Sequence, residues 1–417
     1  MKRRIALLLL ALALLLTGCG GTAVTVPDNP PLPASAGLRV AVATDLHLDP
    51  DHTDKSGTPA ASAYNLELVD ALLWDARQQG AEILLLTGDL ANGGKVHRHE
   101  ALAEKLRAAE EAGLAVFVVP GNHDLSPIGQ QAFARLYADF GYGEASSRDP
   151  ASLSYSVLRQ DVMLLMLDTG GYPGGAIDLP AASGRRDGEA CLSNATLGWI
   201  REQLKAAQAE GLPVLCAGHF NLLPAESRDS EKSGYYLENG EALAMLLRSC
   251  GVPLYLSGHL HVRAVLEEDG LTELITEYLL AYPAGYTMLD LEGGRVTARH
   301  RRVDVDGWAK ASGQTDPVLL DFAMWQQKAL YAYSRENVAY MSERNRLSPR
   351  QQRQAAEFFY AVMDAFWRGE LHSKREALEA MPGCAPFFRC AEGYAYGWWL
   401  RDLMENASPK FSGFTLG

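Results

Sequence analysis

From Leu38 onward, short apolar runs alternate with amphipathic stretches, and this alternation constrains the fold more than any other feature. The runs are too short for helices and are bounded by glycine, proline or polar residues, which is typical of buried strands. They are Leu38–Ala43, Ile83–Leu86, Ala115–Val119, Val162–Leu167, Val214–Ala217 and Leu254–Leu256. Strands alternating with helices predict a layered α/β domain.

Helical periodicity predicts a helix between most of these runs. The predicted helices are Ala61–Gln79, Val96–Ala112, Ile128–Asp139, Thr196–Ala209 and Glu241–Ser249. Asn194 is the expected N-cap of the fourth helix. Helix stops are expected at Gly80, Gly113, Gly211 and Gly251. The later runs Leu271–Leu280, Gly285–Leu291 and Arg295–Val303 have no helix between them and predict a mixed sheet at the end of the domain.

The composition changes near Val305, and residues 316–405 are rich in alanine, arginine, glutamate, glutamine and aromatic residues at helical spacing. Ser348 followed by Pro349 predicts an N-cap with proline at the first helical position. Pro382-Gly383 predicts a break between helices. Residues 305–417 are therefore interpreted as a helical module of three or four helices.

The first residues are typical of an exported protein. Lys2, Arg3 and Arg4 precede an apolar run, and Leu16-Thr17-Gly18-Cys19 resembles a bacterial lipobox. This predicts a signal peptide over residues 1–18, lipidation of Cys19 and a flexible tether over 19–36 rich in small residues and proline. It places residues 37–304, the α/β domain, on the outer face of the bacterial cytoplasmic membrane, or at the outer membrane of a diderm. A plain secretion signal is the alternative.

The charge and the cysteines limit partners and crosslinks. The formal net charge is −13, so we expect no binding to a nucleic-acid duplex. An anionic substrate would need local positive charge. After Cys19 the chain has five cysteines, and Cys384 with Cys390 is the expected disulfide if one forms.

Five short motifs follow five of the apolar runs, and they hold five of the ten histidines in the chain. The motifs are Asp45-Leu46-His47, Gly88-Asp89-Leu90, Gly121-Asn122-His123-Asp124, Gly218-His219 and Gly258-His259-Leu260-His261. Ligands of α/β sheets bind at the carboxyl ends of strands, so these side chains are expected to meet there. Carboxylate, imidazole and amide groups suit manganese, iron or zinc.

The five motifs, in this order, resemble the calcineurin-like metallophosphoesterase superfamily over roughly residues 38–303. The resemblance implies a β-sandwich flanked by helices, and two divalent metal ions. It assigns Asp45, His47 and His261 to the first ion. It assigns Asn122, His219 and His259 to the second ion, with Asp89 bridging both. A bridging hydroxide would attack the phosphorus atom of the substrate.

The resemblance also suggests catalytic residues outside the ligand set. His123 matches the family histidine that stabilises the transition state or protonates the leaving group. Asp124 is expected to orient His123 by accepting its second N–H. Asp168 ends a strand without matching a ligand motif, so we expect a structural hydrogen-bond acceptor.

Other side chains near the motifs are expected to lie outside the metal shells. Surface positions are expected for His52, His97 and His99. Many relatives have a second histidine where this chain has Phe220, which is expected to form a pocket wall. The segment Asn221–Gly240, with Arg228, Lys232, Tyr235 and Tyr236, is interpreted as a substrate-facing loop; a solvated surface loop is the alternative.

These features together predict an exported phosphoesterase that hydrolyses a phosphomonoester or a phosphodiester, with cyclic nucleotides among the candidates. The expected substrate is a small phosphate ester or an envelope component. The alternative is an envelope-binding lipoprotein with a vestigial metal site. In that alternative the C-terminal helical module recognises an envelope component. A third interpretation keeps the enzyme and treats the C-terminal helices as a lid or docking surface that sets specificity.

Overall fold

The protein is described by a computed structural model covering residues 37–52, 61–170, 190–223, 236–408, 410 and 412–417. Its strands are β1 (Leu38–Ala43), β2 (Ile83–Thr87), β3 (Ala115–Val119), β4 (Ser147–Arg148), β5 (Tyr155–Arg159), β6 (Val162–Met166), β7 (Val214–Ala217), β8 (Leu254–Ser257), β9 (Ala264–Glu268), β10 (Leu271–Ile275), β11 (Gly285–Glu292), β12 (Arg295–Arg302) and β13 (Gly413–Leu416).

The helices follow the same chain order. They are α1 (Asn65–Gln78), α2 (Val96–Glu111), α3 (Gln130–Leu136), α4 (Asn194–Glu210), α5 (Gly240–Ser249), α6 (Val305–Ala311), α7 (Pro317–Leu320), α8 (Phe322–Ser342), α9 (Pro349–Trp367), α10 (Leu371–Glu379), α11 (Cys384–Cys390) and α12 (Ala395–Glu405). A 3₁₀ turn at Ser62–Tyr64 precedes α1, and a π turn at Ala138–Tyr142 follows α3.

Two mixed sheets form the centre of the fold. The first sheet has the order β13-β12-β11-β1-β2-β3, and the second has the order β4-β5-β6-β7-β8-β10-β9. The neighbours β1, β2 and β3 run parallel, as do β6, β7, β8 and β10. The remaining neighbours are antiparallel, so the predicted mixed sheet and the α/β layers are confirmed.

Alternate residues of one strand serve two hydrophobic cores, because successive side chains in a strand point to opposite faces. In β6, Leu164 and Met166 belong to the large core that also contains residues of β1, β2 and β3. Leu165 lies on the other face, in a second core with Ile200 of α4. The sheets therefore pack against each other, and helices cover their outer faces.

The C-terminal part is more finely divided than expected. It contains seven helices among the described residues, α6 to α12, rather than three or four. Ser348 caps α9 in a capping box with Gln351, and Pro349 is the first helical residue, as predicted. The module predicted over residues 305–417 is not wholly helical. It ends in strand β13, which pairs antiparallel with β12 of the first sheet.

Three other local predictions are corrected. The N-cap of α4 is Ser193, whose side chain accepts from the backbone N–H of Thr196, instead of Asn194. The strand predicted over Leu271–Leu280 ends at Ile275. Cys384 and Cys390 are free thiols, because six residues of helix separate them by about 9 Å along the axis, beyond the reach of a disulfide.

Among the described residues, no helix has the length and apolar character needed to cross a membrane.

Candidate metal centre

The five motifs meet at one edge of the sandwich. Asp45, Asp89 and Asn122 follow the parallel strands β1, β2 and β3 of the first sheet. His219 and His259 follow the parallel strands β7 and β8 of the second sheet. Carboxyl ends of parallel strands lie at the same edge of a sheet, and both sheets present this edge to a shared site.

Most of the predicted ligands have an unusual backbone conformation. The φ angles of Asp45, His47, Asp89, His259 and His261 are 50°, 40°, 50°, 68° and 60°. Left-handed backbone is costly for residues with a Cβ and is concentrated at functional sites. In the turns after β1, β2 and β8, the backbone therefore adopts an unfavourable conformation that directs these side chains into the site.

One group of ligand atoms gathers around Asp45. Nε2 of His261 lies 3.1 Å from Oδ1 of Asp45 and 3.3 Å from Nε2 of His47. Nε2 of His47 lies 3.5 Å from Oδ2 of Asp89. Facing imidazole nitrogens between two carboxylates form a donor set that fits a divalent cation. One atom from each of these four residues lies within 4.8 Å of the others.

A second group shares Asp89 with the first. Nε2 of His219 lies 3.4 Å from Oδ2 of Asp89 and 3.1 Å from Oδ1 of Asn122. Asp89, His219 and His259 each offer a ligand atom within 4.8 Å of the others. The structure therefore brings together all seven residues predicted as metal ligands, in two groups with Asp89 common to both.

Two motif glycines allow the close approach of these ligands. A Cβ at Gly121 would overlap the carboxylate and backbone N–H of Asp89. A Cβ at Gly258 would overlap Oγ1 of Thr44 and lie 2.7 Å from Oδ2 of Asp45. Both positions require glycine because each lies against a carboxylate that the site needs.

The carboxylates of the site are held in their ionised form. Burial alone would raise the pKa of Asp45 and of Asp89, but neighbouring histidines outweigh it. His261 contributes most for Asp45, and His219 contributes most for Asp89, so the pKa of each carboxyl lies well below its usual range. Two buried anions at one edge of the sheets create a strong local attraction for cations.

The buried histidines differ in their affinity for protons. Burial alone would lower the pKa of His219, but the charge of Asp89 outweighs it and raises the pKa to about 9. Burial, and then the positive charge of His219, lower the pKa of His259 to about 3. His219 must lose a proton when a cation binds, whereas His259 is already neutral and ready to coordinate.

His123 lies beside the ligand atoms and is open to solvent. Its side chain is 48% exposed, and Nε2 lies 3.9 Å from Oδ2 of Asp89. Its backbone N–H donates to Oδ1 of Asp89 over 2.8 Å, which fixes the residue beside the bridging carboxylate. Burial lowers the pKa of His123 below its ordinary value. The geometry suits a group that meets a substrate at the mouth of the site.

Asp124 does not orient His123, contrary to the expectation from the sequence. Its buried carboxylate accepts from the backbone N–H groups of Leu90, Ala91 and Gly121 at 3.2, 3.1 and 2.8 Å. It makes no hydrogen bond to His123 in the part of the chain that the structure describes. Asp124 instead ties the turn after β3 to the turn after β2, which holds Asn122 and Asp89 together.

The three histidines expected at the surface have different environments. His97 is exposed. His52 is partly buried and lies at hydrogen-bonding distance from Ser62. His99 is fully buried, so the prediction of a surface position for His99 was wrong. Nδ1 of His99 lies 2.8 Å from the Tyr137 hydroxyl, and Nε2 lies 3.0 Å from the Asp124 carbonyl. His99 therefore supports the backbone of the third motif at Asp124.

Two other residues near the motifs are structural. Asp168 accepts from the backbone N–H groups of Leu153 and Gly170 at 3.0 and 3.1 Å, as expected for a structural acceptor. Phe220 is fully buried, so it does not form an open pocket wall. Its ring packs against His259 with centroids 4.2 Å apart and thereby supports a ligand.

A buried glutamate that the sequence did not single out anchors the segment after His219. The carboxylate of Glu273 accepts from Oγ of Ser257 at 2.6 Å and from the backbone N–H of Leu223 at 2.6 Å. Burial raises its pKa to about 7. All five residues of β10 are buried, and nothing in the sequence indicates the partners of Glu273.

Two predictions fall largely outside the described residues. Cys19 and the tether precede them, and residues 224–235 of the interpreted substrate loop, with Arg228, Lys232 and Tyr235, are also outside. Tyr236 is described and begins the return to α5, pairing as an isolated bridge with Asn221.

The fold is similar to that of a solved dimetal phosphatase from Danio rerio. The TM-score is 0.50 at 14% identity, covering 66% of this chain and 97% of that chain. A purple acid phosphatase from yellow lupin (Lupinus luteus) seeds has a lower TM-score of 0.44 at 14% identity, covering 64% of this chain and 52% of that chain. No curated protein matches the chain by sequence.

Two family models match separate parts of the chain. Residues 304–405 match a model described as the C-terminal domain of cyclic nucleotide phosphodiesterase. Residues 38–263, which hold all five motifs, match the model described as calcineurin-like phosphoesterase. The chain therefore belongs to the calcineurin-like phosphoesterase family.

Proposed function

We propose that the protein is a two-metal phosphodiesterase and that cyclic nucleotides are its first candidate substrate class. The observation that carries the proposal is the pair of ligand groups sharing Asp89. The match of residues 304–405 to the C-terminal domain of cyclic nucleotide phosphodiesterase favours a diester over a monoester. A phosphomonoester or a phosphate ester of the cell envelope is the alternative substrate for the same metal centre.

The ligand sets follow from the two groups. Asp45, His47 and His261 would hold one divalent cation, and Asn122, His219 and His259 would hold the other. Asp89 would contact both. Two such cations supply an activated water and neutralise charge on a phosphoryl group. Nitrogen and oxygen donors without thiolate suit manganese, iron or zinc.

His123 supplies the group that meets the substrate. Its lowered pKa keeps the imidazole neutral near pH 7, so that its ring N–H is a hydrogen-bond donor. Such a donor would stabilise charge on a phosphoryl oxygen or on the leaving oxygen. Because the side chain is half exposed and fixed beside Asp89, His123 can reach an ester without leaving the site.

The location proposed for this activity is the outer face of the bacterial cytoplasmic membrane, or the outer membrane of a diderm, through a lipid on Cys19. The residue pattern Leu16-Thr17-Gly18-Cys19 supports it. Metabolic labelling with an alkyne fatty acid tests this point, with Cys19→Ala as the unlabelled control. Labelling of the Cys19→Ala protein would contradict the assignment.

The test of the function is a hydrolysis panel on metal-free protein reloaded with manganese, iron or zinc. The panel contains cyclic nucleotides, a bis-ester and a mono-ester of the same chromogenic phenol, and phospholipids. We expect the cyclic nucleotides to be hydrolysed faster than the mono-ester. No hydrolysis of any ester with any of the metals would refute the proposal and favour an envelope-binding lipoprotein.

A further inference from the structure

Tyr278 contacts two members of the ligand group around Asp45, namely His261 and His47. Its ring stacks on the ring of His261, with centroids 4.6 Å apart and planes at 18°. The same ring meets His47 edge-on, with centroids 5.3 Å apart and planes at 84°. The backbone of Tyr278 forms an isolated β-bridge with Thr44, the residue before Asp45. This bridge positions the Tyr278 ring next to the ligand group around Asp45.

The two imidazoles on opposite sides of Asp89 are oriented by different means. A ligating histidine usually donates its second ring N–H to a carbonyl or carboxylate, which fixes the ring. Nδ1 of His219 lies 2.8 Å from the Thr87 carbonyl and meets this requirement. For His261, the structure over the described ranges shows no such hydrogen bond at Nδ1, and the side chain is 40% exposed. Apart from the contacts of its Nε2 with Asp45 and His47, the parallel ring of Tyr278 restrains the imidazole.

The loop that carries Tyr278 is fastened to the C-terminal helices. The Tyr282 hydroxyl donates to the Asp364 carboxylate on α9. Arg368, the residue after α9, donates to Asp364 over 2.8 Å and to the Tyr282 hydroxyl over 3.2 Å. Tyr282 is almost fully buried, whereas the side chains of Arg368 and Asp364 are partly exposed. On the other side, the Leu280 carbonyl accepts from the backbone N–H of Ala61 over 2.7 Å.

We propose that Tyr278 is a positioning residue for the ligand His261, and that α9 supports it through Tyr282. The inference rests on the metal-binding part of the proposed function. Without the stack, an exposed imidazole at a turn would lose the orientation it needs to bind a cation alongside Asp45. The loss would fall on the group formed by Asp45, His47 and His261 and would spare the group around His219.

The test is calorimetric titration of metal-free full-length protein with Mn²⁺. We expect two binding events in the wild type. In Tyr278→Ala, one event should weaken by about 10-fold to 100-fold while the other stays unchanged. Tyr278→Phe keeps the ring and should match the wild type. Tyr282→Phe removes the hydrogen bond to Asp364 and should weaken the same event by less than Tyr278→Ala.

Control variants separate the positioning of His261 from a general loss of stability. Tyr340→Ala alters an exposed tyrosine of the C-terminal helices, 59% exposed, and should bind Mn²⁺ as the wild type does. If Tyr278→Ala does not fold, Tyr278→Leu fills the space without a ring face to stack on His261. Ester hydrolysis by Tyr278→Ala should recover at saturating Mn²⁺, because the residue acts on the ligand rather than on the substrate.

Three outcomes would overturn the inference. They are unchanged Mn²⁺ binding in Tyr278→Ala, equal weakening in Tyr278→Phe, and hydrolysis that stays low at saturating Mn²⁺. Failure of the proposed function has a different signature, because a wild type that binds two Mn²⁺ ions but hydrolyses no ester leaves the binding comparison intact. A wild type that binds no Mn²⁺ would overturn the inference, and one that binds none of manganese, iron or zinc would refute the proposed function as well.

Discussion

The two ligand groups on either side of Asp89 differ in the exposure of one histidine in each, His219 and His261. The His219 side chain is fully buried, lies at hydrogen-bonding distance from the Thr87 carbonyl, and packs beside His259. The His261 side chain is 40% exposed, contacts Asp45 through Nε2 and stacks on the ring of Tyr278. We call these the buried half and the exposed half of the metal centre.

This difference suggests a division of work between the halves. In the buried half, the ring of His219 is oriented by the backbone, because its Nδ1 lies 2.8 Å from the Thr87 carbonyl. The exposed half lies next to His123, which is 48% exposed, and so faces the direction from which an ester must enter. Rigid support on one side and access on the other are what a hydrolytic centre requires.

Removing the carboxylate shared by the halves tests whether they are one site. In Asp89→Asn, both cations lose an anionic ligand, so we expect loss of both from the purified protein. Hydrolysis should fall by more than about 100-fold, since even changes behind the ligands cost that much. Metal analysis and initial rates measure this. Retention of one tightly bound cation would show that the halves are independent.

Substituting one histidine in each half tests their difference directly. His219→Ala removes a buried partner of Asp89, so the free energy of unfolding of the metal-free protein should fall by about 3 kcal/mol. His261→Ala should lower it by less, because that side chain is partly solvated and His47 remains beside Asp45. Urea titration measures both, with exposed His97→Ala as the control. Equal effects would remove the distinction between the halves.

Replacing the residue at the mouth of the site separates binding from chemistry. His123→Ala should keep both cations, because His123 is not in either ligand group. Its turnover should fall by about 100-fold, the usual effect of removing a positioned acid or donor. The loss should be greatest for esters with poor leaving groups. Full turnover on such an ester would contradict the assigned part of His123.

The smallest expected effect is the pH dependence of the metal-free protein. The pKa of His219 is raised from 6.5 to about 9 in the folded state. Its contribution to stability is therefore fully present below about pH 6.5 and is lost as the pH rises through about 9. The unfolding midpoint should fall by about 4 °C between pH 7 and pH 10.

A matched variant isolates the source of that pH dependence. His219→Gln lacks the titrating ring, so its unfolding midpoint should change less with pH over the same range. The unfolding midpoint of the metal-loaded protein should also change less with pH, because a bound cation displaces the proton from His219. A midpoint that rises with pH in the metal-free wild type would mean that Asp89 does not hold the proton on His219.

The sequence predicted the edge of the sheets at which the site forms, but not how its turns are supported. Motifs such as Asp45-Leu46-His47 are local, and the apolar run before each one predicts a strand whose end presents it. The support for these turns comes from residues far away in the chain. Asp124 binds backbone groups 33 and 34 residues away, and His99 is buried against Tyr137. Local patterns indicate neither pairing.

The same limit explains the missed elements. β13 is only four residues long and owes its structure to pairing with β12, more than a hundred residues earlier. Tyr278 follows a strand in an ordinary apolar stretch, and only the assembled site places it against His261. Ser193 and Asn194 are both good N-caps by composition, and the hydrogen bond to Thr196 decides between them.

The pairing of β13 with β12 has a consequence for how the chain can be cut. The helices from α6 to α12 leave the first sheet after β12 and return to it at β13, so they form a loop closed on one sheet edge. Deleting everything after β12 would remove the strand that covers this edge and leave a row of unpaired backbone groups facing solvent. Exposed edges of this kind recruit other strands, so a shortened catalytic fragment should self-associate.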